Sequence, residues 1–105
     1  MKRVDAIFSR EVTSTVASAL IRNGFHNMTV WESLERRDLG AIRKMWRGRE
    51  YEENIRKGAY LAMIVNDEDA KKVANVIAEN ASTEKSGGGI VSISPVDEVI
   101  VIREK

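Results

Sequence analysis

The chain has 105 residues, a length typical of one domain, and carries 17 basic against 16 acidic side chains. A net charge of +1 excludes bulk electrostatic attraction to nucleic acid or membranes, and the absence of cysteine excludes disulfides and thiolate metal sites. No apolar run approaches the roughly 18 residues of a membrane span, so we expect no direct membrane insertion. Charges in the opening MKRVDAIFSRE argue against an export signal, so we expect a cytoplasmic protein.

The first third of the chain predicts a strand, a helix and a second strand. In RVDAIFS, Val4, Ala6 and Phe8 share one face, as in a strand with that face on a core. The next stretch predicts a helix that Ser9 caps and that ends at Gly24 in the left-handed conformation. Its apolar stripe consists of Val12, Val16, Ala19 and Leu20. MTVWESL, rich in β-branched and aromatic residues, predicts the second strand.

The pattern breaks over residues 35–57, which carry eight basic and five acidic side chains without a clear period. Such a length is typical of a functional loop, and we predict a long loop at about residues 35–55. AYLAMIV then predicts a third strand, NDEDA starts a second helix with Asn66 or Asp67 as cap, IVSIS predicts a fourth strand, and EVIVIRE a last one. The second apolar stripe consists of Ala70, Val73, Ala74 and Ile77.

This order predicts one α+β domain over residues 1–105, a ferredoxin-like βαββαβ sandwich with an extra C-terminal strand and both helices on one sheet face. The other face would leave four apolar side chains in water, so we expect a self-associating oligomer to cover it. The four residues are Ile7, Leu61, Met63 and Val65.

A glycine-rich loop, STEKSGGG at residues 82–89, joins the second helix to the fourth strand. Successive backbone N–H groups of Gly87, Gly88 and Gly89 can converge on an anion, Thr83 can add a hydroxyl, and Lys85 or Arg103 can add positive charge. The alternative interpretation is a flexible helix-to-strand connector. From the residues alone both remain open.

Residues 36–49 hold six basic side chains against Asp38 alone, a local charge of +5. Arginine beside tryptophan and methionine is typical of protein-docking surfaces. The alternatives are a solvated loop whose Trp46 folds back on the oligomer, and, less favoured, a nucleic-acid contact. We expect a protein partner rather than nucleic acid. The candidate partner-binding residues are Arg36, Arg37, Arg43, Lys44, Met45, Trp46, Arg47, Arg49 and Tyr51.

Three stretches of the chain together resemble the PII family of nitrogen-regulatory signal proteins. The first is MKRVDAIFSRE with NMTVWE, and the second is WRGREY at 46–51, similar to Tyr-Arg-Gly-Ala-Glu-Tyr. The third is TEKSGGGIVSI at 83–93, similar to Thr-Gly-Lys-Ile-Gly-Asp-Gly-Lys-Ile-Phe-Val, followed by VIVIR ending at Arg103. The resemblance implies a homotrimer with nucleotides bound between subunits. It also implies a central loop that docks on a membrane transporter or a metabolic enzyme.

The resemblance also implies a nucleotide-binding set and its effectors, namely an adenine nucleotide (ADP, AMP or ATP) and 2-oxoglutarate. The set comprises Ile7, Thr29, Thr83, Lys85, Gly87, Gly88, Gly89 and Arg103. Ile90 and Val101 stand where the family places phosphate-binding lysine and arginine, Leu39 replaces the glutamine near magnesium, and Gly58 replaces the lysine that reaches 2-oxoglutarate. These differences predict weak use of Mg²⁺ and favour a nucleotide with fewer phosphates, such as ADP or AMP.

No residue grouping indicates catalysis or a metal. Asp5, Glu32 and Arg103 are expected to approach one another across the sheet, which an ion pair explains. His26, the only histidine, is expected in a turn or an interface, and Trp31 in a core or an interface. Tyr51 aligns with a tyrosine that is uridylylated in some PII proteins; an exposed loop tyrosine explains it equally. Three functions follow: a ligand-sensing regulator of PII type, an interaction module without effector sensing, or a small phosphate-ester hydrolase.

Overall fold

A computed structural model describes residues 1–36, 42–46, 49–53, 55–82 and 88–103 of the chain. It contains six strands, two α-helices and two short 3₁₀ turns, Arg10–Val12 and Asp67–Asp69, within these ranges. The elements in chain order are β1 Lys2–Ser9, α1 Thr13–Arg22, β2 Thr29–Glu35, β3 Ile42–Trp46, β4 Arg49–Glu53, β5 Arg56–Val65, α2 Ala70–Ala81 and β6 Gly89–Pro95.

Four strands form one sheet in the order β2-β5-β1-β6, and every neighbouring pair in it is antiparallel. Strands β1 and β2 are therefore parallel and flank β5, while β5 and β6 are parallel and flank β1. Each parallel pair is connected through a helix, α1 or α2, as in two interleaved βαβ units. This is the ferredoxin-like α+β arrangement, so the predicted fold class is confirmed.

The hydrophobic core lies between the two helices and one face of the sheet. Strand β1 contributes Val4, Ala6 and Phe8 to this face, as its alternation predicts. The helices contribute the predicted stripes, because Val16 and Leu20 of α1 and Val73 and Ile77 of α2 are fully buried in the same cluster. Burial of these apolar side chains supplies the main driving force for folding, about 2 kcal/mol for each large one.

Three large apolar side chains of strand β5 that we expected on the uncovered sheet face point into the core instead. The register pairs Leu61 with Ala6 and Met63 with Val4, so both, together with Val65, lie in the core rather than on the uncovered face. The strand is apolar on both faces, and period-2 alternation then carries no information about which face is buried. Only the register with β1 decides it.

The opposite face of the sheet, here called the open sheet face, is not covered by either helix. Its apolar residues are Ile7 and Ile90, paired across β1 and β6, Ile64 of β5, and the aromatic pair of Trp31 and Tyr60. Ile64 is 48% exposed and Ile90 58% exposed. The apolar residues of the uncovered face are therefore a different set from the expected one, of which only Ile7 was foreseen, and self-association stays a prediction.

Both helices begin with a 3₁₀ turn, and helix α1 ends as predicted. Ser9 and Asn66 occupy the extended N-cap position of these turns, although neither side chain makes a capping hydrogen bond. Gly24 has a φ of 89°, and its N–H donates to the carbonyl of Ile21. The N–H of Phe25 donates to the carbonyl of Leu20, which closes a left-handed glycine cap.

The last predicted strand is not formed within the chain. Residues 98–103 are described and adopt no regular structure, with Ile102 95% exposed. β-Branched residues form a strand only beside a strand that accepts their hydrogen bonds. Within the described ranges each edge strand, β2 and β6, pairs with one neighbour only, and residues 98–103 pair with neither.

The central segment is not a structureless loop where the structure describes it. Strands β3 and β4 form a separate two-stranded antiparallel sheet in which Arg43 pairs with Glu52 and Trp46 with Arg49. Apolar alternation marks strands that bury one face in a core, and a ribbon outside the main sheet has no such requirement. We call residues 36–55 the central arm.

Candidate functional site

Two glycines of the glycine-rich loop have different backbone requirements. Gly88 has a φ of 72°, a left-handed conformation that only glycine adopts without strain, and a Cβ there would contact nothing within 4 Å. Gly89 begins β6 opposite Phe8, and a Cβ there would lie 2.3 Å from the carbonyl oxygen of Ile7. A turn and a close strand contact therefore explain these two glycines without a ligand.

Both glycines also line a cavity of about 430 Å³. Ile7 lies in this cavity, together with the last turn of α2 and the first residues of β6. Three members of the predicted nucleotide set, Ile7, Gly88 and Gly89, are thus neighbours. A cavity of this size accommodates part of a nucleotide, since small-molecule sites span about 300–1,000 Å³.

Thr29, a fourth member of the predicted set, lies elsewhere. It begins β2 and lines a second cavity of about 630 Å³ with His26, Met28, Arg3 and Ile64. Among the described residues, the two cavities have no lining residue in common. The structure therefore separates the predicted set into two half-sites, which we call the glycine half-site and the Thr29 half-site.

The remaining members of the predicted set are not placed in either half-site. Arg103 is exposed in the C-terminal segment. Thr83, Lys85 and Gly87 lie outside the described residues. The convergence of the Gly87, Gly88 and Gly89 N–H groups on an anion, and the positive charge that Lys85 would add there, stay predictions.

The described residues of the glycine half-site supply no charge for a polyphosphate. Ile90 lines this cavity with an apolar side chain, and Val101 is exposed in the C-terminal segment. Neither side chain can form the charge-assisted hydrogen bonds that bind phosphate oxygens most strongly. Among the described residues that line the glycine half-site, none is charged.

A polar network on the open sheet face was not foreseen from the sequence. The Arg3 Nε donates to both carboxylate oxygens of Asp5, at 2.9 and 3.0 Å, and the Tyr60 hydroxyl donates to Asp5 Oδ1 at 2.7 Å. The ring of Tyr60 stacks on Trp31 with centroids 4.6 Å apart and an interplanar angle of 17°. Because Tyr60 donates to Asp5 and is partly desolvated, its pKa is raised above its usual range.

This network borders the Thr29 half-site and lies on strands next to the glycine half-site. Arg3 lines the cavity of Thr29, and Tyr60 pairs in register with Ile7 of the glycine half-site. The sequence does indicate part of this network, because alternation along the strand places Arg3 and Asp5 on the face opposite Val4 and Phe8. Alternation does not show which strands lie next to β1, so Tyr60 and Trp31 could not be predicted as members of the network.

The expected cluster of Asp5, Glu32 and Arg103 does not form among the described residues. Glu32 points to the other side of β2 from Trp31 and forms an exposed ion pair with Arg10, at 3.6 Å. Asp5 lies on the open sheet face with Arg3. Strand pairing places the two carboxylates on opposite faces, which single-strand patterns do not reveal.

Histidine and metal-type ligands form no recognisable centre in the part of the chain that is described. His26 lies in the irregular segment between α1 and β2, two residues beyond the turn at Gly24, and lines the Thr29 half-site. No group of three or more His, Cys, Asp or Glu side chains that could hold a metal ion occurs among the described residues. In the same residues, no helix is long and apolar enough to cross a bilayer.

The predicted docking residues fall on the two strands of the central arm and beside them. Arg43, Lys44, Met45 and Trp46 belong to β3, and Arg49 and Tyr51 to β4. Tyr51 pairs in register with Lys44. Arg36 follows β2 directly, while Arg37 and Arg47 lie outside the described residues.

Comparison with known proteins assigns the chain to a family. The family model described as nitrogen regulatory protein P-II matches residues 1–105. Nitrogen regulatory protein P-II 2 of Methanothermobacter thermautotrophicus is 40% identical over 104 residues, 98% of this chain and 90% of that protein. The GlnB-like protein 1 of the nitrogen fixation nifHD region in Methanothermobacter marburgensis is 34% identical and covers all of this chain and 96% of its own length. Nitrogen regulatory protein GlnK2 of Haloferax mediterranei is 32% identical over 98% of this chain and 84% of that protein.

Proposed function

The chain belongs to the P-II family of nitrogen regulatory proteins, which are signal-transduction regulators rather than enzymes, and we propose that it binds an adenine nucleotide between copies of itself. The proposed assembly is a cytoplasmic homotrimer. In it the glycine half-site of one subunit meets the Thr29 half-site of the next. The central arm of each subunit then docks on a membrane transporter or a metabolic enzyme.

One observation supports the proposal: four members of the predicted nucleotide set line two different cavities, and the described lining residues of these cavities do not overlap. A ligand in either cavity of a single chain would contact only part of the set. Both cavities border the open sheet face, whose exposed Ile64 and Ile90 favour burial against another copy. Assembly through this face would bring one half-site of each kind into every interface.

The nucleotide best suited to these residues carries one or two phosphates. Ile90 in the glycine half-site supplies no charge, so each additional phosphate would remain less well neutralised. Thr83, Lys85 and Gly87 would complete the phosphate contacts, and Arg103 would approach from the C-terminal segment. We expect AMP or ADP to bind more tightly than ATP, with little dependence on Mg²⁺.

The central arm supplies the proposed docking surface. Its strands carry the Arg- and Trp-containing segment of β3 next to Arg49 and Tyr51 of β4. Arginine and tryptophan dominate the energetics of protein interfaces. Uridylylation of Tyr51 stays a separate prediction, tested by incubating the protein with a uridylyltransferase and UTP and measuring the mass of the arm peptide.

Mixed assemblies test the position of the nucleotide between subunits. Lys85→Gln weakens the glycine half-site, Thr29→Arg blocks the other, and each variant alone should lose ADP binding in calorimetry. When the two variants are co-expressed with different tags and purified through both tags, every mixed trimer has about one cleft in three that combines two intact halves, and this cleft should bind ADP. Mixed assemblies without binding would refute a shared site. Wild-type protein that binds no adenine nucleotide would refute the nucleotide itself.

The second candidate is an interaction module without effector sensing. Ile90 and the exposed Val101 favour it, because both replace positive charge expected at a phosphate site. Partner capture that is unchanged by AMP, ADP, ATP and 2-oxoglutarate would support this second candidate. The phosphate-ester hydrolase has no comparable support from the described residues.

A further inference from the structure

The central arm leaves and rejoins the sheet at one pair of residues. The β2–β5 ladder ends where Glu35 pairs with Arg56, and the arm begins directly beyond them. Across this last rung the Arg56 Nε lies 3.6 Å from Glu35 Oε1. The two side chains are largely buried, at 15% exposed for Arg56 and 7% for Glu35.

Gly58 provides the space in which the Glu35 carboxylate lies. A Cβ at residue 58 would be 2.8 Å from Glu35 Cδ and 2.9 Å from Glu35 Oε2. The carboxylate therefore rests against the bare backbone of β5, two residues from Arg56 along the strand. Any larger residue at position 58 would displace Glu35 from this position or move the strands apart.

Burial makes this pair different from the other ion pair on β2. Arg10 and Glu32 are also 3.6 Å apart, but their side chains are half or more exposed, and such pairs contribute little. When one member of a buried pair is removed, the buried charge of the other loses that compensation, which is strongly unfavourable. The end of the β2–β5 ladder is thus held by side chains as well as by backbone hydrogen bonds.

We propose that Glu35, Arg56 and Gly58 form a latch that fixes the direction in which the central arm leaves the sheet. We call residues 34–36 and 55–57 the roots of the arm. With the latch closed, the two roots stay paired at the end of the β2–β5 ladder. With the latch open, the last rungs separate and the arm takes other directions. Use of the latch to control partner docking rests on the proposed function, whereas the latch itself does not.

Hydrogen exchange of the ligand-free protein tests the latch. Glu35→Gln and Arg56→Gln should each accelerate exchange of the backbone amides in residues 34–36 and 55–57 about tenfold, and leave those of β1 unchanged. The double variant should exchange no faster than the faster single variant, because either change already opens the latch. Glu32→Gln, which breaks the exposed pair on the same strand, is the matched control and should have no effect at these roots.

Three outcomes would overturn the latch. They are unchanged exchange at the roots in both single variants, strictly additive acceleration in the double variant, and equal acceleration throughout β1, which would mean a purely global loss of stability. Arg56→Lys retains the charge and should accelerate exchange less than Arg56→Gln; equal acceleration would also count against an ion-pair latch. Calorimetry with ADP on the same samples separates this result from the proposed function, since loss of one does not require loss of the other.

Discussion

Substitution of Gly89 by alanine gives the sharpest test of the packing between β1 and β6. The new Cβ would lie 2.3 Å from the carbonyl oxygen of Ile7 and 3.2 Å from Cα and Cβ of Phe8. An ordinary contact begins at about 3.4 Å, so β6 must shift by about 1 Å relative to β1. Both backbones are paired in the sheet, and neither can move without its neighbours.

The expected cost combines overpacking with weakened hydrogen bonds. Overpacking costs about 1–3 kcal/mol, and each weakened ladder bond adds about 1 kcal/mol, so Gly89→Ala should lower the free energy of unfolding by about 3 kcal/mol. For a domain of this size that corresponds to a decrease in Tm of roughly 10–20 °C. The measurement is urea and thermal unfolding followed by circular dichroism, at one protein concentration because self-association raises Tm.

Gly88→Ala is the matched control, one residue away and lining the same cavity. Its cost should come from the positive φ alone, about 1 kcal/mol, because no atom lies within 4 Å of the added Cβ. Gly89→Ala that unfolds within error of wild type, or Gly88→Ala that is the less stable of the two, would refute the reasoning. Equal losses would show that backbone conformation rather than the strand contact limits both positions.

Three further predictions concern the core and two charged contacts. Leu61→Ala should cost about 2–5 kcal/mol in urea unfolding and the half-exposed Ile21→Ala much less; equal costs would contradict the assigned strand face. The amino group of Met1 lies 2.8 Å from Asp67 Oδ1 and lowers the pKa of that carboxyl. Asp67→Asn should therefore lower Tm at neutral pH. The substitution should have no effect on Tm once the pH falls well below the pKa of Asp67 in the folded protein. A Tm difference that persists in acid would argue against the ion pair. Ultraviolet titration should find a raised pKa for Tyr60, and Asp5→Asn should return the pKa of Tyr60 toward its usual range. Since the unfolded phenol ionises first, stability should decline as pH rises above about 10, and more steeply in wild type than in Asp5→Asn.

The helices and strands that bury one face in the core could be predicted from the sequence. The strands that bury no face in the core could not be predicted. Val4, Ala6 and Phe8 alternate because one side of β1 meets the helices, and the position of Val16 and Leu20 one turn apart has the same cause. The strands of the central arm were not predicted because they belong to a separate two-stranded sheet. The C-terminal residues 98–103 were predicted as a strand because β-branched composition reports propensity and not the presence of a neighbour.

Only part of the candidate site could be predicted, because some of its contacts depend on how the strands pair. Ile7, Gly88 and Gly89 were expected together and lie in one cavity, although Gly89 also meets a steric demand from Ile7 that no sequence motif contains. Tyr60 and Glu35 were missed because their partners lie on other strands, Tyr60 with Asp5 and Glu35 with Arg56. Contacts between residues distant in sequence depend on register, and register follows from the whole sheet.

The single rung at which the polypeptide departs from the β2–β5 ladder and returns to it has a consequence for how such proteins diversify. Because the exit and the entry are adjacent, lengthening or replacing the intervening residues changes only a loop-closure term, and each doubling of its length costs about 0.6 kcal/mol. The four-stranded sheet therefore tolerates changes in the length and sequence of the inserted segment. New binding specificities can evolve there, or be grafted in the laboratory, without a change of fold.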